Sequence, residues 1–317
     1  MKAAVIEQFG NASVLEVKQV ELPEPGPGQI LVRVHATNVN PIDWKMREGQ
    51  MAARYGEEFP MILGWDCSGV VVETGADVTS FAIGDEVIAR SDVGTGRCYA
   101  EYAVINIATA VRKPEKLSHT EAASLPLTGL TVINSLVHCA NLQSGQSILI
   151  VGGSGGVGTL AIQIAKTIGA EVTSVSSSKN LELAGSLGAD HVIDYESANP
   201  LSGNVKYDVI YDTVGAHNLE NAKPALKPEG VYVTLVPVPG IDFFIPGQSS
   251  REPGAGYFVA WTPAAADLET LTNWVNSGAV QPVIDSVYPL DKISEAHERS
   301  ETERAVGKIV IEVHTDD

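Results

Sequence analysis

The sequence has little cysteine. Three residues, Cys67, Cys98 and Cys139, stand far apart in 317 positions, and no CxxC pair occurs. A disulfide framework and a structural zinc knot both need closely spaced thiols, so neither is expected. Cations are scarce too: 21 Lys and Arg stand against 39 Asp and Glu, a formal net charge of −18. That balance repels nucleic-acid phosphates and argues against a nucleic-acid partner; its plain consequence is solubility. Long apolar runs are also missing. None approaches the ~18 residues a membrane helix needs. The opening MKAAVIEQFG lacks the apolar stretch of a signal peptide. The expectation is a cytoplasmic protein with no membrane partner.

What is present suffices for two cores, because 317 residues exceed the usual span of one. Residues 2–6, 14–20, 30–37, 68–74 and 85–90 are short and rich in Val, Ile and Ala. Pro and Gly, from Pro23 to Gly28 and again at Gly64, Gly75 and Gly84, fall between or beside them. That spacing predicts a β-rich region with tight turns. From about residue 120 the rhythm changes. A helix is expected over 129–140, then strands at 147–152, 171–176, 191–194, 207–212, 231–236 and 257–261. Helices fill the first, second and fourth gaps. Leu160, Ile164 and Ile168 give the first of these one apolar face. Alternating strands and helices predict an α/β fold with a doubly wound parallel sheet. The tail predicts a helix near 265–276 and a strand at Lys308–Ile311 that folds back onto the N-terminal region.

The stretch with the most chemistry is SILIVGGSGGVGTLAIQIAKTIGA, residues 147–170. Gly153, Ser154, Gly155, Gly156, Val157 and Gly158 fit GxGxxG between an apolar strand and an amphipathic helix, the context that makes the motif a dinucleotide site. Glycines let the backbone approach a pyrophosphate, and the helix N-terminus offers free N–H groups. A P-loop would need Lys and Ser or Thr after its last glycine, but Thr159-Leu160 follow. An NAD site usually carries Asp or Glu at the end of the second strand. Here that strand ends in Ser176, Ser177, Ser178 and Lys179. Hydroxyls and a cation suit a 2′-phosphate, so the cofactor is read as NADPH; the serines also suit the cap of the next helix. Tyr195 ends the third strand, either beside the adenosine phosphate or as a packing residue.

These motifs together resemble the medium-chain dehydrogenase/reductase superfamily, in its zinc-independent quinone oxidoreductase and enone reductase branch. The resemblance spans the chain. It rests on MKAAVIEQFG, Asn38–Asp43, Phe81–Val87, Ala123–Thr131, the glycine loop, Ser186–Tyr195 and Gly307–Ile311. It implies a GroES-like β-rich catalytic domain, residues 1–124 and 263–317, and a Rossmann NADPH-binding domain, 125–262, in a homodimer. Zinc members have Cys where this chain has Asn38–Asn40, and Gly-His-Glu where it has Gly64-Trp65-Asp66. Cys67, His35 and His138 lie at no ligand spacing, so no metal is expected. Without a Lewis acid, the expected acceptor is already electron-poor: a quinone or the C=C bond of an α,β-unsaturated carbonyl.

The resemblance also implies site residues. Asn40 and Thr128 go next to the nicotinamide or its ribose; Thr128, placed before a helix, is equally suited to capping it. Lys45 matches the lysine of a plant-type enone and quinone reductase subgroup and is either a donor to ribose or substrate oxygen, or a solvated cation. Asp66 is expected to pair with Lys45, and Trp44 and Trp65 either wall a pocket or pack a core. Carboxyl ends of parallel strands face the ligand crevice, which brings in Val214, Gly215 and Val236. Lys308 lies on the tail strand where family members touch the cofactor, or is solvated. Residues 240–256 belong to a pocket or a dimer edge. Two other functions stay open: an enoyl-thioester reductase, and a non-catalytic NADPH-binding sensor or structural protein.

Overall fold

The computed structural model describes residues 1–94, 96–247, 249, 251–259 and 264–314. The chain divides into two compact units, Met1–Leu127 with Pro263–Asn276 and Pro282–Asp317, and Thr128–Thr262 with Ser277–Gln281. Among the described residues, no helix is long and apolar enough to cross a membrane.

The first unit begins with β1 (Lys2–Ile6), β2 (Glu16–Gln19) and the eleven-residue β3 (Gln29–Val39). Helices α1 (Pro41–Arg47) and α2 (Ala52–Tyr55) follow. Next come β4 (Met61–Ile62), β5 (Asp66–Thr74), β6 (Glu86–Arg90), β7 (Tyr102–Asn106), β8 (Ala110–Arg112) and α3 (His119–Ala123). Strand β1 lies between β2 and β4 in a small antiparallel sheet, while β3, β5, β6 and β8 are neighbours in a larger one. Antiparallel pairing with tight Gly turns is what the short Val- and Ile-rich runs predict.

Helix α4 (Pro126–Ile133) leads out of this unit and continues as a π-helical stretch, Asn134–Cys139. The sequence reading expects one regular helix over 129–140. Pro126 instead starts the helix earlier, as a proline at the first helical position does. Farther along, the Asn134 side chain bonds the Leu130 carbonyl at 2.8 Å, in competition with the backbone ladder.

The second unit alternates β9 (Ser147–Val151), α5 (Gly156–Ile168), β10 (Glu171–Ser176), α6 (Leu181–Ser186), β11 (His191–Asp194) and β12 (Tyr207–Asp212). After α7 (Leu219–Ala222) come β13 (Leu226–Thr234), β14 (Asp242–Phe244) and β15 (Gly256–Val259). All pair parallel, in the order β11-β10-β9-β12-β13-β15-β14. The order reverses between β9 and β12, the place where doubly wound sheets open a crevice at their carboxyl ends. Leu160 and Ile164 of α5 are buried as the apolar face requires, while Ile168, at the last turn, is half-buried.

Helix α8 (Ala265–Asn276) and β16 (Ile284–Pro289), α9 (Ile293–Glu301) and β17 (Lys308–Glu312) complete the first unit. Strand β17 pairs antiparallel with β3, Ile309 opposite Val39, so the tail folds back as expected. Ser277–Gln281 belong instead to the second unit, where Gln281 exchanges two hydrogen bonds of 2.8 and 2.9 Å with the Gln163 side chain.

Candidate active site

The second unit builds its site at the strand ends. After Val151 the chain turns through Gly152–Ser154 to Gly155, the N-cap of α5 with φ −76° and ψ 174°. Two motif glycines are required by close approach. A Cβ on Gly158 would lie 2.1 Å from the Gly152 carbonyl oxygen, and one on Gly153 would lie 2.0 Å from Ser174 Oγ. Gly155 differs, because the nearest atom to a Cβ there is 3.6 Å away. The loop is therefore packed below and open above. The first-turn N–H groups of α5, from Gly156, Val157 and Gly158, have no intrahelical acceptor and carry positive partial charge. An open cradle of that polarity fits a pyrophosphate.

Next to it, β10 ends in the hydroxyl cluster. Ser176 and Ser177 are buried, and Ser178 and Lys179 are exposed in a short turn. Asn180, which the sequence reading leaves out of the site, ties the two pieces together: its Nδ2 donates to Ser154 Oγ at 3.1 Å and to Ser177 Oγ at 3.3 Å. Its place one residue after Lys179 was the available signal. Ser178 Oγ donates to Glu196 at 3.5 Å. Tyr195 is 47% exposed, so it does not pack a core, and its backbone N–H reaches the Ser176 carbonyl at 3.2 Å.

On the other side of β9, Asp212 is fully buried at the end of β12 and shapes the following turn. Its carboxylate accepts the N–H groups of Val214, Gly215 and His217 at 2.8–3.1 Å and the Tyr232 hydroxyl at 3.0 Å. Val214 is left 56% exposed, and a Cβ on Gly215 would lie 2.8 Å from Val236 Cβ. The structure thus gathers Val214, Gly215 and Val236 at one rim.

The first unit holds a different kind of centre. Asn40 caps α1, and its backbone N–H donates to Asp43 at 2.7 Å. Asn40 Oδ1 accepts from Lys308 Nζ at 2.6 Å, and its Nδ2 donates to Asp66 at 3.0 Å. Asn38 Nδ2 reaches the same Asp66 oxygen at 2.8 Å. The other Asp66 oxygen accepts the Leu127 N–H at 2.9 Å, in the first turn of α4. Burial raises Asp66, raises Asp43 to about 7 and lowers Lys308 to about 8. Desolvation disfavours each charged form and here outweighs the attraction between opposite charges. A second chain runs outward. Tyr99 faces Asp43 and meets His297 Nε2 at 3.2 Å; Arg47 donates to His297 Nδ1 at 3.2 Å and to Glu301 at 2.6 Å. Burial and the Arg47 charge lower His297 to about 3, so its ring is neutral.

Several expectations need correction. Thr128 does not precede α4 but is its third residue, 1% exposed, so it is not a cap. Asp66 does not pair with Lys45, because Asn38, Asn40 and Leu127 occupy its oxygens; Lys45 Nζ lies 5.3 Å from the centre of the neighbouring Trp44 ring. Lys308 is not solvated: it is 7% exposed. Asn40 is 1% exposed, with Oδ1 on Lys308 and one Nδ2 hydrogen on Asp66, which leaves the second Nδ2 hydrogen as a donor. Of the two alternatives for Trp65 the core holds: it is 1% exposed, with the Arg90 guanidinium 4.3 Å from its ring centre. His35 stacks on His119 at 4.3 Å, and Cys67 is buried. Among the described residues, no three His, Cys, Asp or Glu side chains are placed to hold a metal ion.

Comparison with known proteins agrees with this architecture. Residues 26–115 match the family described as alcohol dehydrogenase GroES-like domain, and residues 187–311 match the one described as zinc-binding dehydrogenase. The donor set just described does not fit that zinc. The mitochondrial NAD(P)H oxidoreductase RTN4IP1 of Bos taurus is 36% identical over 356 residues, covering 99% of this chain and 89% of its own. The 2-methylene-furan-3-one reductase of Solanum lycopersicum is 36% identical over 325 residues, covering 98% and 79%. The solved quinone oxidoreductase from Coxiella burnetii superposes with a TM-score of 0.87 at 32% identity, covering 99% of both chains.

Proposed function

This chain belongs to the medium-chain dehydrogenase/reductase family of oxidoreductases, and on that footing we propose that it reduces quinones or the C=C bond of α,β-unsaturated carbonyl compounds with NADPH, without zinc. The observation that carries the cofactor choice is the end of β10. Ser178 and Lys179 stand exposed there, and no carboxylate occurs from Ser176 to Asn180. An ammonium and hydroxyls complement a 2′-phosphate, which would take over from Glu196 as the acceptor for Ser178. Among the described residues no donor set for a metal is assembled, which supports an acceptor that needs no Lewis acid. Relatives with quinone and enone reductase names support the same substrate class.

When bound, the nicotinamide supplies hydride. The chain's own part is positioning and electrostatics. The α5 N–H groups hold the pyrophosphate, Ser178 and Lys179 hold the 2′-phosphate, and Tyr195 lies by the adenosine. Val214, Gly215 and Val236 line the nicotinamide end, and Thr128, Lys45 and Asn40 orient ribose or substrate oxygen. The reading extends to a cytoplasmic homodimer, which cell fractionation and gel filtration test.

The deciding experiment is loss of 340 nm absorbance with NADPH or NADH, offered 9,10-phenanthrenequinone and a short enone in parallel. Turnover with NADPH and little with NADH is expected. Tight NADPH binding without turnover of either acceptor would overturn the reductase reading in favour of a thioester reductase or a sensor.

A further inference from the structure

The first unit buries three ionisable side chains around one amide. Lys308 comes from β17, Asp66 from β5, and Asp43 from α1, whose cap is Asn40. The charged groups that face Lys308 are Asp66 and Asp43. Arg90 of β6 also acts on Asp66, and Tyr99 on Asp43. Lys308 is the strongest charge on Asp66.

The hydrogen bonds run from that ammonium to two helix starts. Lys308 fixes Asn40 Oδ1, which turns Asn40 Nδ2 toward Asp66. Asp66 then accepts three N–H donors: Asn40, Asn38 and the backbone of Leu127. A carboxylate can accept all three; a protonated carboxyl must donate its own O–H and gives up acceptor capacity. A buried carboxylate with no counter-charge takes up a proton.

We propose that Lys308 is a positioning residue: its ammonium keeps Asp66 an acceptor and so holds the starts of α1 and α4, the helices that carry Lys45 and Thr128, in the arrangement that the reaction uses. The catalytic consequence rests on the reductase reading; the structural one rests on the hydrogen bonds alone. Burial lowers Lys308 to about 8, so above that pH the Asp66 carboxylate is left buried without its counter-charge, and the two helix starts lose the ion that anchors them.

The test compares wild type, Lys308→Met and Lys308→Arg in two ways. In steady-state kinetics from pH 6 to 10, wild-type kcat falls on an alkaline limb near pH 8. Lys308→Met lowers kcat at least tenfold and flattens that limb, with KM for NADPH within threefold. Lys308→Arg restores at least half of kcat and moves the limb upward. In hydrogen exchange read by mass spectrometry, Lys308→Met speeds exchange of peptides over 40–47 and 126–133 at least tenfold, and leaves 147–168 unchanged. A Lys308→Met protein with kcat within twofold of wild type, an unchanged alkaline limb, or unchanged exchange overturns the proposal. If Lys308→Met does not fold, Asp66→Asn must give the same rise in exchange, and unchanged protection there overturns it. If wild type reduces no acceptor, the reductase reading fails, and the exchange arm still judges Lys308.

Discussion

Asp43 carries a clear pH signature at the scale of single residues. It is fully buried, and burial raises it from 3.8 to about 7. Between those values the folded chain holds a proton that the unfolded chain has released. Its stabilising contribution is therefore complete below about pH 4 and is lost as pH rises through 7. Urea unfolding should show wild type losing stability relative to Asp43→Asn from pH 4.5 to 7.5 and levelling off above; a constant difference would contradict the assignment. At the other site, Lys179 is exposed, so its removal should not disturb the fold. A charge-assisted hydrogen bond is worth about 1.5–3 kcal/mol, and exposure takes it to the low end. Lys179→Ala should weaken NADPH binding by about tenfold and leave NADH unchanged, as read by cofactor fluorescence. Equal losses for both would remove Lys179 from 2′-phosphate recognition.

At the scale of elements, the strand–loop–helix of the glycine motif separates packing from ligand contact. Gly158→Ala forces a Cβ to 2.1 Å from a backbone oxygen, where little can give way. Overpacking of that kind costs about 1–3 kcal/mol, so its Tm should fall. Gly155→Ala meets nothing closer than 3.6 Å and keeps an ordinary φ of −76°. Its Tm should match wild type, while NADPH affinity drops because the new methyl occupies the open cradle. Calorimetry and fluorescence titration check the pair; intact affinity in folded Gly155→Ala would mean that no phosphate sits there. This motif was legible because every part is local. Helix α9 and strand β16 were not. Val287 on β16 is 44% exposed, and α9 buries only Ile293, Ala296 and His297. The three α9 residues keep the helical spacing, but only Ile293 is a large apolar side chain, and β16 shows no clean alternation, so neither gives a clear apolar signal. Strand β14 is three residues on a sheet edge, too short for any period.

At the scale of the whole molecule, the architecture was legible because two regions differ in rhythm, and the parallel sheet follows from strand–helix alternation alone. The buried centre of the first unit was half legible. Asn40 and Asp43 sit three apart around Pro41, a local capping pattern. Lys308 joins Asn40 across 268 positions, a contact that no local pattern encodes. The cofactor reading makes a prediction at this scale as well. A ligand bound only by the folded chain stabilises it by about 2.7 kcal/mol at 100 times its Kd. At about 2–4 °C per kcal/mol, Tm should rise by about 5–10 °C. A coenzyme bound tenfold more weakly, at the same concentration, stands at only 10 times its Kd and adds about 1.4 kcal/mol, half the shift. Differential scanning fluorimetry with NADPH and NADH at matched concentration should therefore show two unequal rises. Equal rises would mean that the cradle at Gly155 binds a dinucleotide while the end of β10 does not choose between them. No rise with either would remove the cradle itself.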